Sequence, residues 1–107
     1  MLNHKIISGS QNLEATIAES ENTIVLKFTS AFCGPCKQLN KQLEKYDNET
    51  NVDLLEISMD DKNNLPAAKK YEVLVVPTLF LIDKQNNILQ SHKGAMSINE
   101  FYDFIKH

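Results

Sequence analysis

An α/β architecture, with a central mixed sheet and helices on both faces, is predicted by three features of this sequence. Runs of β-branched and aromatic residues alternate with segments whose apolar residues recur every three or four positions. Their order reads βαβαβα followed by ββα, and a chain that closes on a hairpin after parallel crossovers needs a mixed sheet. The 107 residues, 42% of them hydrophobic and only 3 Gly and 3 Pro, suit one core without linkers. A single domain over residues 1–107 is expected.

The elements follow in order. Lys5–Ser8 is a short candidate strand. Leu13 and Ile17, with alanines between them, mark a helix with Ser10 or Asn12 available as its N-cap. Thr23–Thr29 reads as a strand; after Cys33-Gly34-Pro35-Cys36, a helix presents Cys36, Leu39, Leu43 and Tyr46 on one face. Val52–Met59 is a further strand, and Asn64 is placed to cap a helix that carries Pro66 in its first turn and ends near Tyr71. Leu79–Ile82 and Ile88–Ser91 flank a polar Lys84-Gln85-Asn86-Asn87 segment, a hairpin whose turn type is open without glycine. Ser97-Ile98-Asn99-Glu100 is a capping box, and Ile98, Phe101, Tyr102 and Ile105 share a helical face.

Charge and composition exclude several classes. Eleven basic against 14 acidic residues leave a net charge of -3, without the basic field that drives nucleic-acid binding. The longest apolar runs, Val73–Val76 and Leu79–Ile82, fall far short of the roughly 20 residues of a membrane-spanning helix. The first residues carry neither an apolar run nor a small-residue cleavage site, so a cytoplasmic protein is expected.

The 2 cysteines are too few for a secreted disulfide framework, and they stand three positions apart. Where a strand passes into a helix, unpaired N–H groups and the helix dipole favour a thiolate at the first sulfur. Cys33 can then attack a partner disulfide, and Cys36, one turn on, can resolve the mixed disulfide. Pro35 gives up only an N–H that would be unpaired and stiffens the link between the sulfurs. A zinc site would need four ligands, and His4, His92, His107 and scattered carboxylates form no second cluster, so no metal is expected. No glycine-rich dinucleotide fingerprint is present, so no organic cofactor is expected either.

Phe32-Cys33-Gly34-Pro35-Cys36-Lys37 after an apolar strand, and Val76-Pro77-Thr78 before another, resemble the thioredoxin family, and the element order matches along nearly the whole chain. The resemblance implies a thioredoxin fold and a cis bond at Pro77, where an ordinary trans proline opening an edge strand is the alternative. It also implies a client-facing surface of Phe32, Gly34, Pro35, Met59, Val75, Val76, Pro77, Lys93, Gly94 and Ala95, with the Val76 backbone pairing to an extended client segment. Met59 and Val75 are equally readable as core residues.

The sequence departs from the family pattern in places. Phe32 precedes the first cysteine where tryptophan is usual, and the chain has no tryptophan. Lys27 stands where the family has a buried aspartate, and Glu56 stands where it has that aspartate's lysine partner. An ammonium cannot accept the proton the aspartate is thought to take. A buried, unpaired Lys27 would cost several kcal/mol, so a Lys27–Glu56 pair exchanged between strands is expected, with a snorkelling Lys27 as the alternative. A positive Lys27 near the sulfurs would favour the thiolates and make the protein a weaker reductant. Lys93 and Val75 alter the rim and put recognition by the usual reductase in question.

The function expected is reduction of protein disulfides by dithiol exchange, with disulfide-containing client proteins and a thioredoxin-reductase-type electron donor as partners, and with the protein a monomer. The alternatives are a thioredoxin-fold adaptor whose cysteines are incidental, or a less reducing disulfide oxidase or isomerase.

Overall fold

The computed structural model describes residues 1–107. Its elements are β1 (Leu2–Ile7), α1 (Ser10–Glu19), β2 (Thr23–Thr29), α2 (Gly34–Leu43), β3 (Val52–Ser58), a 3-10 turn at Lys62–Asn64, α3 (Leu65–Lys70), β4 (Thr78–Ile82), β5 (Ile88–Lys93) and α4 (Ile98–Phe104). One five-stranded sheet runs β1-β3-β2-β4-β5. β3 is parallel to both β1 and β2, whereas β4 is antiparallel to β2 and β5. The mixed α/β sheet expected from the element order is therefore present.

The central strands are covered on both faces, so they read as apolar runs, and the two-residue period divides them between two cores. Ile24, Leu26 and Phe28 of β2 pack with Leu55, Ile57, Phe80 and Ile82 against Leu13 and Ile17 of α1 and Ala67 and Ala68 of α3. Val25, Leu54, Leu79 and Leu81 face the other way, against Leu39 and Leu43 of α2 and Phe101 and Phe104 of α4. By the same alternation Lys27 falls on the α2 and α4 side, directly opposite Glu56 in the β2–β3 register. Each Val, Leu, Ile or Phe side chain buried in these cores contributes about 1.5–3 kcal/mol.

Several boundaries differ from the sequence reading, each for a local reason. β1 begins at Leu2 because Leu2–Ile7 pairs with Val52–Ile57 over its full length. α1 is capped by neither Ser10 nor Asn12: Gly9, at φ 92, is its N-cap, while the Asn12 side chain accepts the Ser8 N–H at 3.1 Å. Asn64 does not cap α3 with its side chain. Fully buried, it accepts the Gly9 N–H at 2.9 Å and donates to the carbonyls of Ile7 and Ser58 at 3.2 and 2.9 Å, tying the ends of β1 and β3 together. Tyr46 lies beyond the end of α2, and β5 continues to Lys93.

The hairpin turn without glycine is solved by Asn86 at φ 67, with the Asp83 carboxylate accepting the N–H groups of Gln85 and Asn87. α3 ends in a Schellman pattern: the Val73 N–H reaches the Ala68 carbonyl and the Glu72 N–H that of Lys69, which puts Glu72 at φ 55. The capping box at Ser97 and Glu100 is formed in full.

Candidate active site

β2 ends at Thr29, and four residues later Cys33 is the N-cap of α2. Its sulfur accepts the Cys36 N–H at 3.1 Å, so the first turn of the helix directs an otherwise unpaired donor at the site where thiolate charge would sit. Pro35 occupies the first helical turn. The two cysteines are joined as a disulfide. Their exposure differs: Cys36, on the buried face of α2, is only 2% exposed, whereas Cys33 is half-buried. A partner disulfide can thus reach Cys33 and not Cys36.

The second wall is the segment before β4. The Val76–Pro77 bond is cis, and the Val76 carbonyl oxygen lies 3.5 Å from the Cys33 sulfur. Thr78 Oγ1 donates to the Val75 carbonyl at 2.7 Å, and the Gly94 N–H donates to the Pro77 carbonyl at 2.8 Å. These bonds fix the Val75-Val76-Pro77 segment, whose Val76 carbonyl meets Cys33, and seat Gly94 against Pro77. Phe32 is 95% exposed, Gly34 and Pro35 are exposed or nearly so, and Val75 is 50% exposed. Met59 is half-buried and packs with Val73 and Val76 against the α1–α3 core. Of the two residues readable as core, Val75 faces solvent and Met59 sits at the boundary. Leu74, 86% exposed beside Val75, extends the apolar rim; nothing in its sequence context distinguished it from the half-buried Val73.

Behind α2 the charge exchange takes a definite form. The Lys27 side chain is 1% exposed; its Nζ donates to Asn40 Oδ1 at 2.6 Å and stands 3.3 Å from Glu56 Oε1. Glu56 Oε1 in turn meets His4 Nε2 at 3.1 Å. Burial pushes the Lys27 pKa below its ordinary 10.5, and the charge and hydrogen bond of Glu56 oppose that shift. The ammonium makes no hydrogen bond to either sulfur: it reaches α2 at Asn40, one turn beyond Cys36. This network borders a cleft of about 660 Å³ that also includes His4, Glu44, Tyr46 and Asp47. The sequence marks neither Asn40 nor His4 as a partner of this pair, since only the fold places them beside Lys27 and Glu56.

No group of three or more His, Cys, Asp or Glu residues is arranged to hold a metal ion. No helix is long and apolar enough to cross a membrane.

The thioredoxin family model matches residues 5–107. The chain belongs to the thioredoxin family. It is 32% identical to thioredoxin from Bacillus subtilis (strain 168) over 70% of this chain and 71% of that protein. To mitochondrial thioredoxin from Mus musculus it is 28% identical over 94% of this chain, spanning 60% of that protein's length. Among solved structures, a point-mutant thioredoxin from Halobacterium salinarum NRC-1 superposes with a TM-score of 0.83, covering 97% of this chain and 88% of that one at 23% identity, a likeness of fold. The thioredoxin fold predicted from the sequence is confirmed, and membership with the Cys33–Cys36 disulfide makes the chain a thiol–disulfide oxidoreductase.

Proposed function

We propose that this thioredoxin-family chain works as a protein disulfide reductase, with Cys33 as the attacking sulfur and Cys36 as the resolving one. The observation that carries the reading is the contrast in exposure: Cys33 is open beside the Val76 carbonyl, and Cys36 is 2% exposed. The Cys33 thiolate attacks one sulfur of a client disulfide, forming a mixed disulfide and expelling the other client sulfur as a thiolate. The Cys36 thiolate then attacks the Cys33 sulfur and releases the second client thiolate. The client has gained two electrons and, on protonation, two protons; Cys33–Cys36 is oxidised and must be reduced again.

A client segment would run along Val75–Val76, pairing with the Val76 backbone and resting on Phe32, Gly34, Pro35, Met59, Pro77 and the Lys93-Gly94-Ala95 rim. Lys27 and Glu56 act on the potential from behind α2, the ammonium favouring thiolate and the carboxylate opposing it. A separate thioredoxin-reductase-type enzyme supplies electrons. A monomer suits this exchange, since the attacking and resolving sulfurs lie three residues apart in one thioredoxin-like domain, and the cytoplasm, where dithiols are kept reduced, suits a reductant.

Catalysed reduction of insulin by dithiothreitol, with Cys33→Ser and Cys36→Ser variants, tests the reading. Loss of turnover in both, with a client–Cys33 mixed disulfide trapped only in Cys36→Ser, is expected. Undiminished turnover by Cys33→Ser would overturn the assignment, and no turnover by the parent chain would favour the adaptor reading.

A further inference from the structure

Ser30, Ala31 and Phe32 connect β2 to Cys33 and belong to no strand or helix. Phe32 is 95% exposed, so its ring does not anchor the segment. The anchor comes from Asp60, just past the end of β3. Its Oδ2 accepts the Ala31 N–H at 2.8 Å, and its Oδ1 accepts the Ser30 hydroxyl at 2.9 Å. Asp60 is held from its own side, because its N–H donates to Ser58 Oγ at 3.1 Å and the preceding Met59 N–H donates to the Thr29 carbonyl at 2.8 Å. The β2–β3 pairing stops at Thr29 and Ser58, and the Asp60 carboxylate carries the connection two residues further toward the cysteine.

We propose that Asp60 is a positioning residue for thiol–disulfide exchange, a two-oxygen clamp on Ser30 and Ala31 that fixes where Cys33 stands beside the Val76 carbonyl. This rests on Cys33 being the attacking sulfur. A carboxylate is well suited to such a clamp, because when ionised it accepts at both oxygens, whereas a protonated acid gives up one acceptor. The same contacts, led by the Ala31 N–H, hold the Asp60 carboxyl below the usual carboxylate range. An exposed connector free to shift by an ångström would spoil alignment of the attacking sulfur with a docked client, a fault that can cost up to about 10²-fold in rate. It would not change reaction with a small reagent that needs no docking.

A single-turnover measurement in a Cys36→Ser background, where attack by Cys33 stops at the mixed disulfide, tests the clamp. Insulin is the protein disulfide and iodoacetamide the small reagent, at a pH where Cys33 is fully thiolate. Asp60→Ala is expected to slow mixed-disulfide formation about tenfold and to leave alkylation within about twofold. Asp60→Asn can accept the Ala31 N–H and donate to Ser30 Oγ, so it is expected to retain most of the rate with insulin. An unchanged rate in Asp60→Ala would overturn the proposal. So would an equal loss in Asp60→Asn, which would make charge the cause, or an equal loss in alkylation, which would place the effect on the thiol itself. Should Asp60→Ala not fold by circular dichroism, Asp60→Ser, too short to bridge, carries the same expectations. Absence of any mixed disulfide in the Cys36→Ser parent would instead defeat the assignment of Cys33.

Discussion

Substituting Glu56 and Lys27 separately should have unequal effects on stability. Glu56→Ala removes the one ion-pair partner of an ammonium that is 1% exposed, leaving Lys27 with Asn40 alone. Removing one member of a buried pair costs about 3–5 kcal/mol. Because the Glu56 side chain is 24% exposed and Asn40 still accepts a hydrogen bond, the loss here should be about 2–3 kcal/mol. Lys27→Met takes the charge itself out of the interior and leaves Glu56 to water and His4, so its cost should stay within about 1 kcal/mol. Adding Lys27→Met to Glu56→Ala should recover most of the loss. Urea denaturation of the oxidised protein at neutral pH, followed by far-UV circular dichroism because the chain has no tryptophan, reads the difference as a midpoint lowered by about 1–2 M in Glu56→Ala. Equal, small and additive effects would mean that the buried ammonium does not depend on Glu56, and would refute the reasoning.

Lys27 also gives stability a pH dependence. Its pKa is lowered in the folded chain, so between that value and 10.5 the unfolded chain binds more protons; stability should rise with pH across the window, and Lys27→Met should abolish the rise. Replacing Lys27 by Asp should lower the Cys33–Cys36 reduction potential by about 30 mV for each unit by which the thiolate pKa rises, measured against dithiothreitol buffers; an unmoved potential would remove Lys27 from redox tuning. Asn64→Ala should cost roughly 2–4 kcal/mol in urea denaturation, since three backbone groups at the β1 and β3 ends lose their partner. Glu72→Gly should stabilise by about 0.5–1 kcal/mol, because φ 55 at the Schellman position is open to glycine at no steric cost; a loss of stability would contradict the strain argument.

Periodicity and capping carried most of the fold, because the apolar alternation of β2, β3 and β4 and the Ser97 capping box are local signals. The errors fell where a side chain works at long range. Asn64 precedes Pro66 as an N-cap would, yet its amide serves Gly9, Ile7 and Ser58, partners set by how β1 and β3 end. Gly9 rather than Ser10 or Asn12 caps α1 because the chain enters the helix at φ 92 and the Asn12 amide oxygen is taken by the Ser8 N–H. In the site, Cys33, Cys36 and Pro77 are visible as a motif, and Lys27 and Glu56 as a departure from one. Asn40, Asp60 and Leu74 carry no such mark. The roles of Asn40 and Asp60 depend on which carboxylate or amide the sheet register brings to the start of α2, information that exists only once the strands are paired.

The most direct test of the account is the equilibrium reduction potential of Cys33–Cys36, read by thiol trapping and mass spectrometry across dithiothreitol redox buffers. A disulfide reductase predicts a midpoint nearer to the ~-270 mV of a thioredoxin than to the ~-180 mV of a disulfide isomerase, with Lys27 raising it by tens of millivolts at most. A midpoint at or above about -180 mV, or failure of the pair to cycle at any poise, would contradict it.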